Sequence, residues 1–279
     1  MIAIDRGLGN NTGMLSEFFF SLIGGIFAVI ATGRLDQIAW RFLRTVGALQ
    51  AALTVFALVW IVRFQTVPAS MPAWLIYGIA VVVVLASFGI MFFSPIANHR
   101  RLFFRGLCVS GAVGALVIAA VYAAMSVPVE ATSGLIRAGA ILSRVFGALL
   151  IGSITVAWLL GHAYLTATRM TIAPLRHFSK LLSWSVVFRM ITVIISIGVA
   201  WWMQDSYGAA ARLTDSWLVL SLRIGVGLLA LAIFAYMVAD CVKLRSTQSA
   251  TGILYFGSVF AYVGELASQH LVTACAWPL

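Results

Sequence analysis

The 279 residues are 62% hydrophobic and only 9% charged, with a formal net charge of +10 and a mean hydropathy of +1.05. Soluble domains run at about 45–50% apolar and about 25% charged, so this composition excludes a soluble domain and implies an integral membrane protein. In a soluble chain such a positive charge would point to nucleic acid. Here the basic residues sit in short loops between apolar runs, which fits membrane orientation, and no nucleic-acid partner is expected.

A bilayer crossing takes about 20 mostly apolar residues. The sequence predicts eight, running Met14–Thr32, Arg44–Phe64, Pro72–Pro95, Leu102–Met125, Ala138–Thr168, Phe178–Met203, Ser216–Val242 and Thr251–Trp277. They form one all-α transmembrane domain over residues 1–279. The fifth and seventh are long and are expected to tilt or to extend past the headgroups. Pro68, Pro72, Pro95, Pro128, Pro174 and Pro278 fall near the ends of spans, so no proline-broken helix of the transporter kind is expected. The N-terminus lacks a basic segment leading straight into a short apolar core, so no cleavable signal peptide is expected either. The two halves show no sequence repeat.

Loop charge sets the orientation. The odd-numbered connections carry eleven basic residues: Arg34, Arg41, Arg44, Arg100, Arg101, Arg105, Arg169, Arg176, Lys180, Lys243 and Arg245. The opposite side has four, Arg6, Arg63, Arg137 and Arg212, together with the acids Asp5, Glu130, Asp205 and Asp215. By the positive-inside rule the odd connections are cytoplasmic and both termini lie outside, in the inner (plasma) membrane. Trp74, Trp201, Trp202, Tyr207, Trp217 and Trp277 suit anchors at the outer interface.

Charged residues inside spans are rare and mark either pairing or function. On the fifth span Arg144, Thr155 and His162 share a face, and on the sixth Ser185, Arg189, Thr192 and Ser196 do. The seventh carries Arg223. On the eighth, Tyr255, Ser258, Tyr262, Glu265 and Gln269 recur at spacings of three and four, so these stripes are expected to turn inward. Counted in residues, Arg223 and Glu265 reach similar depths on consecutive helices, which makes them a candidate ion pair. Arg189 lies near mid-span with no carboxylate evident at its level, so carbonyls, water or an anionic ligand are expected to meet it. Glu17 stands near the outer end of the first span.

His162 lies near the cytoplasmic end of the fifth span, with Asp240 on the seventh as a candidate to orient it or take its proton. A haem held by two histidines needs both at one depth, and His270 lies at the other side, so haem is disfavoured. His99 and His177 sit in loops beside arginines, where headgroup contacts are the plainer expectation. Cys108, Cys241 and Cys275 are widely separated and read as packing residues, and no metal site is expected.

Eight spans with both termini outside, with Arg223 in LRIGVGLLALAIF, Glu265 in FAYVGELASQH and Glu17 in SEFFFSLIGGIF, resemble the membrane anchor subunits of the NrfD, DmsC and PsrC type. The likeness covers mainly the last two helices, and the His-Leu-Gly feature of that group after the second span is missing here. The resemblance implies a haem-free bundle that exchanges electrons and protons with a quinol near the outer face, with Arg223 and Glu265 lining the pocket or its proton path.

The resulting expectation is a non-catalytic membrane subunit of a respiratory or photosynthetic-type electron-transfer complex. It would be part of an oxidoreductase rather than an enzyme alone, with a quinone as candidate ligand. Membrane lipids and other membrane or redox subunits are the expected partners. The alternatives are an ion- or proton-coupled transporter, in which the buried charges form a relay, and a structural or assembly subunit, in which they fix helix register.

Overall fold

The structure is a computed structural model that describes residues 2–34, 37–64, 72–97, 100–126, 134–166, 171–202, 209–275 and 277–278, with the side chains of residues 2–12, 135, 166, 209 and 210 not described. Among the described residues, eight helices are long and apolar enough to cross a membrane. They are α1 (Ile2–Thr32), α2 (Trp40–Phe64), α3 (Ala73–Phe93), α4 (Arg101–Ser126), α5 (Gly134–Thr166), α6 (Ala173–Trp202), α7 (Trp217–Lys243) and α8 (Thr247–Cys275). A short helix, Ala209–Asp215, precedes α7. The described residues form no strand. Helices are what lipid permits, because each satisfies its backbone polar groups internally. The chain is a multi-pass membrane protein. Pro68, His99, Pro128, Glu130, Arg169, Asp205 and Tyr207 lie outside the described residues, as do the side chains of Asp5 and Arg6.

Helix ends differ from the predicted spans by up to five residues, except that α1 begins at Ile2 rather than Met14, mostly because helices continue past the apolar window into polar sequence. Helix α6 starts at Ala173, with Pro174 in its first turn, where the missing N–H costs nothing. Pro95 instead closes α3 in a single 3₁₀ turn, Ser94–Ile96. Between α7 and α8 the link is very tight. Arg245 takes a left-handed φ of 58°, and Ser246 N–H reaches back to the Cys241 carbonyl at 2.9 Å. That six-to-one bond is a Schellman closure, and it makes α7 and α8 antiparallel neighbours.

Packing divides the bundle in two. In the first half α1 packs on α2 and α4, and α3 on α2 and α4. In the second, α5 packs on α6 and α8, and α7 on α6 and α8. Each half is thus an up-down ring of four helices, joined chiefly by α1 on α5, the two most buried spans. The halves lack a sequence repeat yet share this arrangement. An even number of helices per half starts both halves from the same side, so the relation is parallel rather than inverted.

The α1–α5 seam is close because Gly25 meets Gly152. A methyl group on Gly25 would fall on the Ala148 carbonyl, and one on Gly152 would sit 2.2 Å from the Gly25 carbonyl carbon. Neither helix tolerates a side chain here. Glu17 and Arg144 each lie eight residues before these glycines, about 12 Å along parallel helices at ~1.5 Å per residue. The glycine crossing therefore sets two charged residues at one level.

Candidate functional site

Arg144 Nε lies 2.5 Å from Glu17 Oε1, an ion pair across the seam with both side chains almost fully buried. Ser126, at the end of α4, places its hydroxyl 3.5 Å from Glu17 Oε2. Gln269 of α8 joins the pair from the other side. With its amide oxygen toward Arg144 it accepts from Nη1 at 2.8 Å, and its nitrogen donates to the Met14 carbonyl at 3.0 Å.

One turn earlier on α8, Glu265 binds two arginines. Arg189 donates from Nε to Oε1 and from Nη2 to Oε2, each at 2.9 Å, a bidentate fork. Arg223 Nη1 approaches Oε1 at 3.0 Å. The expected Arg223–Glu265 pair is present. The expectation that Arg189 lacks a carboxylate is wrong: one carboxylate has two oxygens and about four lone-pair sites, enough for both guanidinium groups. Matching one acid to one base along the sequence hides that option. Arg189 also donates from Nη1 to Ser143 Oγ at 2.6 Å and from Nη2 to Ser268 Oγ at 3.0 Å.

Two glycine contacts make room for this cluster. A methyl group on Gly147 of α5 would stand 2.3 Å from Glu265 Oε2. Where α7 crosses α8, one on Gly227 would stand 2.6 Å from Gly264 Cα, beside Glu265 and one turn from Arg223. Helix α7 is also irregular here: Leu222–Ala230 is a π-helix, with i→i+5 bonds around Arg223. Such segments are uncommon and recur at functional sites. It contains Gly225 and Gly227 but no proline, and glycine alone does not specify i→i+5 bonding.

Arg189, Arg223 and Glu265 are all 0–1% exposed. Among the described residues the buried charged side chains are Arg144, Arg189 and Arg223 against Glu17 and Glu265, so three cations face two anions. Arg189 makes four hydrogen bonds, with every nitrogen of its guanidinium group engaged. Arg223 differs: its Nε and Nη2, and Nη1 by hydrogen-bond geometry, find no hydrogen-bond partner among the described residues. Moving an ion out of water costs several kcal/mol even after relaxation, so an uncompensated buried cation selects for electron-rich neighbours. The charged layer also interrupts the apolar core. On α5 it falls between Ala140 and Leu150, on α6 between Val186 and Val193, and on α8 between Ala261 and Leu271, with Ala140, Val193 and Leu271 in a separate cluster.

Other candidates stand apart from this layer. Tyr262 hydrogen-bonds Thr155 at 2.8 Å and packs edge-on against Phe18, inside the bundle but toward the basic end. His162 is exposed, and its Nδ1 lies 3.2 Å from the Tyr255 hydroxyl. Asp240 is exposed, and the recorded partner of His162 is Tyr255 rather than Asp240. His177 meets the Thr32 hydroxyl at 3.1 Å through Nε2. The stripes on α5 and α8 thus hold in their middle, with Tyr255 and His162 emerging at the end. On α6, Ser185 and Arg189 are buried, whereas Thr192 and Ser196 are only half-buried.

A groove of about 280 Å3 lies between α5 and α6 beside the charged layer. Its walls are apolar, with Leu142, Phe146, Phe188, Ile191, Ile195 and Val199, and Trp277 and Pro278 also line it. Phe146 and Phe188 stack with ring centres 5.8 Å apart. Leu142, Phe188, Ile191 and Ile195 are exposed, so the groove opens sideways toward lipid. Its polar groups are Ser143, Thr192 and Ser196. Ser143 joins the two features, because it lines the groove and accepts from Arg189. The sequence reading missed Ser143, Ser268 and Gly147. Spacing placed Ser268 three residues from Glu265, but nothing in sequence brings α5 to that level.

No family model, curated protein or solved structure matches the chain.

Proposed function

We propose that this chain is a non-catalytic membrane subunit of an electron-transfer complex, and that the groove between α5 and α6 takes a quinone. The observation that carries this reading is a single junction: an apolar groove open to lipid ends at Ser143, which is bonded to the buried layer with one cation in excess. A quinone has an apolar tail that partitions into the bilayer and a ring whose carbonyls are acceptors. The aromatic pair Phe146 and Phe188 suits the ring, while Arg189, held rigid by Glu265, lends a positive field through Ser143. When bound, the quinone supplies two-electron, two-proton redox chemistry. The residues of this chain bind and orient it and bias the site toward its electron-rich form.

The assignment to a complex rests on the resemblance of the Arg223 and Glu265 helices to membrane anchor subunits of respiratory enzymes. In this reading both termini and the charged layer lie toward the outside of the plasma membrane. The basic connections face the cytoplasm, where anionic lipid meets them.

Gentle purification followed by lipid extraction and identification of co-eluting proteins tests the reading. Quinone and redox subunits are expected to co-purify. A partner-free, quinone-free protein that moves protons or ions across liposomes would reject it in favour of a transporter.

A further inference from the structure

At the basic end of the bundle, where α1 stops and α6 begins, the structure holds a second cavity of about 240 Å3. Its floor is apolar and buried, with Ile38, Pro174 and Phe178. Its rim carries three exposed cations, Arg34, Arg176 and Lys180, and no acid among its described lining residues. Asp36, in the same connection as Arg34, lies outside the described residues. His177 is anchored at the edge by its bond to Thr32, which ties the two helices together at this point.

A cationic rim above an apolar floor suits a ligand that is both anionic and amphiphilic. The surface below the rim extends that argument. Trp184 follows Lys180 by one helical turn and Phe188 follows Trp184 by another, so the three share a face of α6. Trp184 and Phe188 are exposed, and their rings stack at 6.0 Å. A free anion would use the rim alone, whereas a phospholipid would use the rim for its phosphate and this aromatic stripe for an acyl chain. We infer that the cavity between α1 and α6 is a binding site for a phospholipid with an anionic headgroup, held by Arg34, Arg176 and Lys180.

Native mass spectrometry of the full chain, released from nanodiscs that contain phosphatidylglycerol and phosphatidylcholine in equal parts, tests this site. The wild type is expected to retain phosphatidylglycerol at least tenfold over phosphatidylcholine. A basic residue near a membrane surface contributes about fivefold, so the double variant Arg176→Gln/Lys180→Gln is expected to lose the tenfold preference and retain the two lipids about equally. Both positions are exposed, and an unchanged thermal midpoint confirms that the variant keeps its fold. Arg63→Gln, at the opposite end, is expected to retain lipid as the wild type does. Equal retention of the two lipids by the wild type, or retention unaffected by the double variant, would overturn the proposal. So would displacement of the bound lipid by millimolar inorganic phosphate, which would make this a site for the free anion.

Discussion

Glu265 compensates two buried guanidinium groups with one carboxylate, so its loss falls on both Arg189 and Arg223. Removing one partner of a buried pair costs about 3–5 kcal/mol, because the charge left behind is unpaired. Glu265→Gln is therefore expected to lower stability by at least that order, read as the thermal midpoint in detergent. Adding Arg189→Met and Arg223→Met to it is expected to recover most of the loss. A single variant as stable as the parent would show that the carboxylate does not neutralise this pair. The candidate site was partly legible at this scale. Helical spacing put Arg144, Arg189, Glu265 and Gln269 on inward faces, and depth counting paired Arg223 with Glu265. Arg189 was misjudged because a carboxylate that accepts from two directions cannot be inferred from one-to-one matching. Asp240 and His162 were misjudged as partners because equal depth says nothing about which helix face turns toward which.

Helix α7 shows most clearly what a single helix contributes. Its π-helix adds a residue to the ordinary turn, which rotates everything on its N-terminal side, Arg223 included. Gly225 lies within it at an exposed position with open space around its Cα. Deleting Gly225 is expected to restore i→i+4 bonding and to turn Arg223 by about 100° away from Glu265. The deletion variant should then match Arg223→Met in thermal stability, and a stability equal to that of the parent would show that the π-helix does not position Arg223. Element existence was readable throughout, because apolar runs of this length are what a bilayer crossing requires. The π-helix was not, since neither glycine nor any other residue forces i→i+5 bonding in isolation. The α1–α5 crossing was likewise hidden: GG in α1 and IGS in α5 signal small surfaces, but only packing reveals that Gly25 meets Gly152.

Over the whole molecule, two four-helix rings meet along α1 and α5, and the charged layer runs from Glu17 at that seam through Arg144 and Gln269 to Glu265. The membrane class followed from composition and the eight helices from hydropathy, whereas the parallel division into halves follows from contacts that leave no repeat in sequence. At this scale the network has a net positive charge, and the groove beside Ser143 is where a ligand from the bilayer would meet it. Titration of a short-tail quinone into the nanodisc-embedded protein tests that claim most directly. Two variants belong beside the wild type: Ser143→Leu, which severs the link to Arg189, and Ile195→Trp, which fills the groove from a lipid-exposed position. The wild type is expected to bind saturably and each variant to bind at least tenfold more weakly, about 1.4 kcal/mol. No binding by the wild type, or equal binding by all three proteins, would contradict a quinone site at this junction.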